Sequence, residues 1–280
     1  MSKNPKEQPP EKLTGIQLTK VPETSVGIKA ILSALTHVKN EVGIVKGISL
    51  LKNLNQKNGF DCPGCAWPDP DEKRAFLAEY CENGAKAVAE EATKNKVTPL
   101  FFATNSIQEL SELSDYEIGK SGRITHPMYL PEGKNNYEEI SWSKAFHLIA
   151  EELNRLNSPD EAIFYTSGRT SNEAAFLYQL FVRQFGTNNL PDCSNMCHES
   201  SGAALSETLG IGKGSVTLDD FNHADLVIVI GQNPGTNHPR MLTALSETKK
   251  RGGKIMTINP LPEVGLMNYK DPQNPLKWFG

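Results

Sequence analysis

The C-terminal half of the sequence predicts an α/β fold, because short apolar segments alternate there with longer segments of helical spacing. The apolar segments span residues 162–166, 226–230 and 254–258, and glycine or proline follows closely after each of them. Alternation at this spacing is typical of a parallel sheet with helices on both faces. We therefore predict an α/β unit over residues 141–280, preceded by a smaller and more irregular α+β region.

The individual elements are predicted from local signals. Ser141 and Ser143 are candidate N-caps for a helix that reaches Leu156. The segment 226–230 contains only Leu and β-branched residues, so we expect a strand buried on both faces, and 254–258 is expected to be buried too. Further helices are predicted at 75–94, 106–113, 172–185, 200–208 and 239–251, and an extended segment at 119–139.

Composition excludes some classes of protein. The chain has 280 residues and a net charge of -4, so no basic excess points to nucleic acid. No apolar run reaches the 18 residues or so that a membrane span needs. The polar start of the chain, Met1 to Lys12, lacks the apolar core of an export signal. We expect a cytoplasmic protein in which residues 1–55 form a flexible tail and an N-terminal extension.

The cysteines suggest metal chemistry more than disulfides. There are five, an odd number, and no export signal accompanies them. Cys62 and Cys65 are separated by Pro63 and Gly64, a turn that can point both sulfurs toward one metal ion or an iron–sulfur cluster. A redox-active thiol pair and two inert thiols are the alternatives at this stage.

A second cysteine segment runs from Cys193 to Cys197 and continues into His198. Cys197 lies close to the start of the predicted helix 200–208, where the helix dipole and an adjacent imidazole favour a thiolate. Such a thiolate is a nucleophile or a soft ligand for a heavy metal. Cys193 is its rival by residue type, and a structural thiol is the simpler alternative.

A third candidate site follows the predicted strand 226–230. The turn from Gly231 to Pro239 opens a helix, and α/β sheets bind nucleotides at such turns through backbone N–H groups. Asn259 follows the next predicted strand, and we expect its side chain to face the same crevice. An ordinary strand-to-helix turn remains the alternative.

Together these segments resemble the molybdopterin-dependent oxidoreductases. The similarity extends over roughly residues 55–280 and follows the order Tyr165 to Glu173, Gly186 to Asn189, Cys197-His198, Gly231 to Pro239 and Ile258 to Pro260. Within that family the chain is most similar to formate dehydrogenase alpha subunits of the YdeP type. The resemblance implies the domain type of formate dehydrogenase and DMSO reductase, with a cluster-binding region at 56–140 and a molybdopterin-binding α/β domain at 141–280.

The resemblance also implies roles for individual residues. Cys197 would coordinate molybdenum, and His198 would take part in proton transfer. The cofactor would be molybdenum bis(molybdopterin guanine dinucleotide), with Asn259 at a guanosine-contacting position. The other positions that match cofactor-binding residues are Gly168, Arg169, Asn172, Gly231, Gln232, Asn233, Asn237 and His238.

Two departures from the family pattern accompany the resemblance. Relatives with a complete [4Fe-4S] site carry C-x2-C-x3-C and a distant fourth cysteine, whereas only Cys62 and Cys65 fit here, and Cys81 is predicted on a helix face. Family catalytic subunits are also far longer than 280 residues. We therefore expect an N-terminal portion that is inactive by itself.

The sequence leaves three functions to compare. The preferred one is a formate-dehydrogenase-like oxidoreductase that acts on a small molecule and passes electrons through an iron–sulfur cluster to a partner protein. The first alternative is a non-catalytic electron-transfer or scaffold subunit of the same fold, against which the Cys197-His198 pair argues. The second is a simple α/β nucleotide-binding module.

Overall fold

The computed structural model describes residues 20, 22–65, 67–71, 74–75, 78–191 and 198–270. Its helices in chain order are α1 (Gly27–Val42), α2 (Ile44–Asn53), α3 (Glu82–Glu91), α4 (Pro99–Thr104), α5 (Ile107–Ser111), α6 (Asp115–Ser121), α7 (Trp142–Asn154), α8 (Asn172–Phe185), α9 (Glu199–Leu209), α10 (Leu218–His223), α11 (Pro234–Asn237), α12 (Met241–Lys250) and α13 (Val264–Met267). Its strands are β1 (Ser25–Val26), β2 (Lys96–Val97), β3 (Arg123–Ile124), β4 (Met128–Tyr129), β5 (Glu138–Glu139), β6 (Leu226–Ile230), β7 (Lys254–Ile258) and β8 (Tyr269–Lys270).

The described residues form two compact units. The first combines parts of 20–96, 111–123 and 217–270, and the second combines 97–110 with parts of 124–216. The first unit therefore brings the cysteine loop near residue 62 together with β6 and β7. This grouping reflects contacts within the chain, and the sequence-based boundaries at 56–140 and 141–280 stay a prediction.

The first unit has a small helical core. It forms where α1 packs against α2 and α3, and Leu54 and Ala85 are completely buried in it. Cys62 and Tyr80 pack against its edge. Small residues on α3 permit this close packing, which seats the cysteine loop on a rigid base.

A second core in the same unit supports the parallel pair β6 and β7, which align Leu226 with Lys254 and Ile230 with Ile258. Val229 contacts Met241 and its neighbours on α12, and Trp67 from the cysteine loop packs against the same cluster. Two adjacent strands joined through a helix and running parallel confirm the predicted parallel pairing.

The prediction that 226–230 is buried on both faces is wrong for the described part of the chain. Val229 is 6% exposed whereas Ile230 is 64% exposed, and exposure alternates along the strand. Met256 and Ile258 on β7 are likewise about half exposed, so this strand is not buried either. The reason is that α12 packs against one face of the pair, whereas the residues on the other face, such as Ile228 and Ile230, stay about half exposed or more.

The helix predicted at 75–94 forms only in its second half, as α3. In a continuous helix, the carbonyls of Ala75 and Glu79 would accept from backbone N–H groups four residues later. Here the Asn55 side chain donates to the Glu79 carbonyl over 2.8 Å, and the Gln56 side chain donates to the Ala75 carbonyl over 3.1 Å. The carbonyls of Ala75 and Glu79 are therefore taken by side chains from 20 or so residues earlier in the chain.

In the second unit the helix predictions at 141–156, 172–185 and 200–208 are confirmed as α7, α8 and α9. Ser141 caps α7 by accepting from the Lys144 N–H, as predicted. The strand predicted at 162–166 is absent from the described residues. Phe164 instead packs its ring against Tyr178, Phe181 and Phe185 of α8, and its N–H donates to the Asn189 carbonyl.

The other sequence predictions have mixed outcomes. The helix at 239–251 is confirmed as α12, and 106–113 contains the shorter α5. The segment 119–139, predicted to be extended, contains the end of α6 and three short strands. Among the described helices, none has both the length and the apolar character to cross a bilayer.

Candidate functional site

The ends of β6 and β7 bring the predicted nucleotide turn and Asn259 to one edge of the strand pair. Ile230 aligns with Ile258, and the Gly231 N–H donates to the Ile258 carbonyl over 2.9 Å. The residues that follow both strands, Gly231 to Asn233 and Asn259, therefore leave the pair side by side. This is the carboxyl edge at which parallel α/β sheets bind ligands.

Two glycines near this edge serve different purposes. Gly231 has a φ of +65°, and a Cβ placed on it would meet nothing within 4 Å. At Gly235 a Cβ would lie 2.5 Å from the Gly265 Cα, so this glycine lets α11 pack against α13. Only Gly231 therefore leaves its backbone open to an approaching ligand.

Polar side chains in the turn have unused hydrogen-bonding capacity. Asn233 Oδ1 and His238 Nδ1 are buried and have no hydrogen-bond partner within the described residues. Asn259 is engaged with its own loop, because its Nδ2 donates to the Leu261 carbonyl and to the Glu263 carboxylate, both over 2.8 Å. The open glycine leaves room for a ligand at this edge, and Asn233 Oδ1 is an acceptor for a donor group such as a guanine N–H. The contacts predicted for Gln232, Asn237 and Asn259 stay predictions.

The predicted cofactor residues lie in the second unit: Gly168 and Arg169 in the loop that enters α8, and Asn172 at the first position of that helix. Ser171 caps that helix by accepting from the Ala174 N–H, and Thr166 bonds to Thr170 over 2.6 Å. The three residues themselves are exposed. The loop is thus fixed by its own hydrogen bonds and presents these residues at its surface.

The predicted molybdenum ligand Cys197 and its rival Cys193 lie outside the described residues. His198 is described: it is exposed and immediately precedes α9. This position agrees with the expectation that the Cys197-His198 segment leads directly into a helix. The ligand role itself stays a prediction.

Around Cys62 and Cys65 the structure adds a third cysteine. The prediction that Cys81 lies on a helix face is wrong, because Cys81 is the N-cap of α3 and its sulfur accepts from the Gly84 N–H over 3.4 Å. Asn55 holds the two cysteine segments together. Its Oδ1 accepts from the Cys62 N–H over 2.7 Å, while its Nδ2 bonds the Glu79 carbonyl.

Burial affects two of the three thiols. It raises the pKa of Cys62 and of Cys81, and nearby backbone N–H groups lower it by less. A redox pair needs a lowered thiol pKa only at its attacking cysteine. The redox-pair alternative for Cys62 and Cys65 therefore stays open.

A buried arginine that the sequence analysis missed connects this region with α12. Arg240 lies 2.6 Å from the Asp69 carboxylate and 2.7 Å from the Glu79 carboxylate. Asp69 occupies the position of the third cysteine in C-x2-C-x3-C, and it pairs with Arg74 as well over 2.6 Å. Its carboxylate is thus used by two arginines. No local sequence pattern marks Arg240, because its partners are more than 150 residues away.

A cavity of about 810 Å³ lies within the first unit, beside Cys81. Apolar side chains of α1 form much of its wall, and Trp67, Tyr80, Glu79, Arg240 and residues of α12 also line it. The cysteine segment and the start of α12 therefore share a space of ligand-binding size.

The comparisons with known proteins agree with the resemblance. A family model described as molybdopterin oxidoreductase matches residues 123–273. The chain is 60% identical over 249 residues to "Uncharacterized oxidoreductase Rv2900c" of Mycobacterium tuberculosis, with 89% of this chain and 32% of that protein covered. It is 49% identical over 251 residues to "Protein YdeP" of Escherichia coli K12, with 90% and 33% covered. A formate dehydrogenase subunit alpha of Methanocaldococcus jannaschii is 31% identical over 152 residues, with 54% and 22% covered.

The chain belongs to the molybdopterin oxidoreductase family, whose model matches more than half of it. It spans about a third of the length of the first two relatives. The family assignment therefore applies to the chain, while the activity of a whole protein is a separate proposal.

Proposed function

We propose that this chain is part of a formate-dehydrogenase-like molybdenum oxidoreductase that oxidises a small molecule. The observation that carries the proposal is the family match over residues 123–273, which includes both the Cys197-His198 pair and the turn after β6. The 31% identity to a formate dehydrogenase subunit alpha supports a formate-like substrate. We assign residues 56–140 to a cluster-binding region and 141–280 to a molybdopterin-binding domain, in a cytoplasmic protein.

The residues around the β6 edge fit a bis(molybdopterin guanine dinucleotide) cofactor. Gly231 leaves its backbone open, and Asn233 and His238 have unsatisfied polar atoms. Gln232, Asn237 and Asn259 would add side-chain contacts, and Gly168, Arg169 and Asn172 would border the cofactor from their own loop. When bound, the molybdenum–pterin group would supply the redox chemistry and a [4Fe-4S] cluster at Cys62 and Cys65 would give electrons an exit to a partner protein.

The protein's own contribution is ligation and proton handling. Cys197 would hold the metal through its thiolate, which a position just before α9 would stabilise. Oxidation of formate to carbon dioxide releases one proton and two electrons, and His198 would accept the proton. A neutral imidazole suits this role because one of its ring nitrogens is a proton acceptor.

The test is cofactor analysis of the complete protein, purified without oxygen. We expect molybdenum and a fluorescent oxidised pterin in the folded protein, and formate-dependent reduction of a dye. Protein from cells grown without molybdate is the matched control, and it should lack the activity. A well-folded preparation that contains neither molybdenum nor pterin would overturn the proposal, and if that preparation still holds iron, the scaffold alternative takes its place.

A further inference from the structure

Three cysteines from two separate segments meet at the start of α3. A methyl group added at Gly84 would lie 2.9 Å from the Cys62 sulfur and 3.9 Å from the Cys81 sulfur, so both sulfurs approach the same point. The Cys65 and Cys81 thiols also lie close enough to Cys62 to act on it electrostatically. The sequence separates Cys81 from Cys65 by a long loop, and only the fold brings it into the group.

We propose that Cys81 is a third thiolate ligand of the iron–sulfur cluster held by Cys62 and Cys65. The inference rests on the proposed function only in taking the group at Cys62 and Cys65 to be a cluster. Cys81 is suited to the role because the N–H groups of Gly84 and Asn83 donate to its sulfur. Hydrogen bonds to the sulfurs are one of the features by which proteins tune iron–sulfur clusters.

A cluster and a single ion place different demands on the spacing of the sulfurs. In the described residues, no group of three or more Cys, His, Asp or Glu side chains is arranged to hold a single metal ion. A zinc site would need its ligands within about 2.3 Å of one centre. Cysteine ligands of a cluster bind different iron atoms and so stand further apart.

The charge around the site is also suitable. Arg240 is largely buried and acts electrostatically on both Cys62 and Cys81. Thiolates bound to a cluster place negative charge in a partly buried site, and a fixed guanidinium offsets the cost of that burial. Asp69 and Glu79 keep Arg240 in place.

Iron binding by variants of the complete protein tests the role of Cys81. Each protein is supplied with ferrous iron and sulfide without oxygen, desalted, and assayed for iron, sulfide and cluster absorbance. We expect Cys81→Ser to retain about tenfold less iron than wild type. Even substitution of residues that surround the ligands typically lowers metal affinity by about 10- to 100-fold. Cys193→Ser, a cysteine substitution outside the group, should keep wild-type iron. Wild-type iron in Cys81→Ser, or no iron in the wild type, would overturn the inference.

A steric variant gives a second test that leaves all three cysteines in place. Gly84→Ala adds a methyl group 2.9 Å from the Cys62 sulfur. Alanine has a higher helix propensity than glycine, so the substitution does not weaken α3 through propensity. The control is Gly119→Ala in α6, where an added Cβ meets nothing within 4 Å. We expect iron to be lost in the first variant only. Equal iron in both would contradict the close approach of Cys62 to α3.

Thiol labelling decides the case in which Cys81→Ser does not fold. In wild-type protein, iodoacetamide should leave Cys81 unmodified while iron is bound and modify it after the iron is removed. Equal modification in both states would overturn the inference. Molybdenum and pterin are measured on the same samples, so a protein with the three-cysteine cluster but no molybdenum refutes the proposed function alone.

Discussion

Arg240 and Glu79 form a buried ion pair, with 2.7 Å between the Arg240 Nη2 and a Glu79 carboxylate oxygen. Their side chains are 13% and 12% exposed, respectively. Glu79 lies two residues before Cys81, and Arg240 immediately precedes α12. The pair therefore fixes the third cysteine to the part of the chain that carries the β6 turn.

Removing the Arg240 guanidinium should destabilise the first unit. In Arg240→Ala the carboxylates of Asp69 and Glu79 remain largely buried without their shared partner, and we expect the free energy of unfolding to fall by about 3 kcal/mol. Arg123→Ala is the control, because the Arg123–Glu91 pair is exposed and should contribute less than about 1 kcal/mol. Urea denaturation of the iron-free proteins measures both, and equal losses would show that the Arg240 pairs contribute no more than surface ones.

The side chain of Asn55 and its left-handed backbone conformation should each contribute to stability, and two substitutions separate these contributions. It is 3% exposed and has a φ of +57°, and its side chain bonds both Cys62 and Glu79. Asn55→Gly keeps the left-handed backbone and loses both bonds, so we expect a loss of about 2 kcal/mol.

Asn55→Ala should cost about 1 kcal/mol more, since alanine strains this backbone. Both variants should lose iron, because the cysteine segments are no longer joined. Urea denaturation and iron content are the measurements. Retention of iron by Asn55→Gly would show that the loop holds its shape without the side chain.

The stability contributed by Glu41 should depend on pH. Burial raises the pKa of this carboxyl, but hydrogen bonds from Lys120 over 2.7 Å and Thr93 over 2.6 Å outweigh it, so the pKa is lowered. A carboxyl with a lowered pKa in the folded state stabilises at neutral pH and loses that contribution as pH falls through its folded-state value.

The pH dependence can be measured by comparing wild type with Glu41→Gln, which keeps the shape of the side chain. We expect wild type to be more stable at pH 7 and the difference to shrink below the ordinary glutamate pKa of about 4.3. Urea denaturation over a pH series tests this. A difference that stays constant down to pH 3 or so would contradict the lowered pKa of Glu41.

The two cysteines outside the described residues have different expected roles. In the complete protein, Cys197→Ala should abolish turnover and weaken molybdenum retention. Cys193→Ala should keep activity within about tenfold, a change of about 1.4 kcal/mol in transition-state stabilisation. Turnover and molybdenum content of both variants are measured side by side. Equal loss would indicate a shared site, and full activity in Cys197→Ala would remove the ligand assignment.

The sequence predicted the helices of the second unit well, because their signals are local. Ser141 and Ser171 mark the starts of α7 and α8, and Gly186 ends α8 in the left-handed conformation. The apolar segment around Phe164 was mistaken for a strand, because a run of large apolar residues also suits a segment packed against a helix. A strand needs a neighbouring strand, and local composition does not supply one.

The cysteine site was only half predictable. The C-x-x-C turn is a local motif, so Cys62 and Cys65 were found. The position of Cys81 depends on Asn55 and Gln56, whose side chains take the carbonyls that a helix would use. Arg240 acts over 161 residues of sequence, and neither periodicity nor spacing encodes a contact at that distance.

The distance along the chain between Glu79 and Arg240 has a consequence for biosynthesis. Ribosomes add about 5–20 residues per second, so the 161 residues between them take on the order of ten seconds or more to make. During that interval Glu79 lacks its guanidinium partner, and the cysteine segment has no anchor on α12. Iron delivery should therefore follow synthesis of residue 240, and the nascent thiols must stay reduced until then.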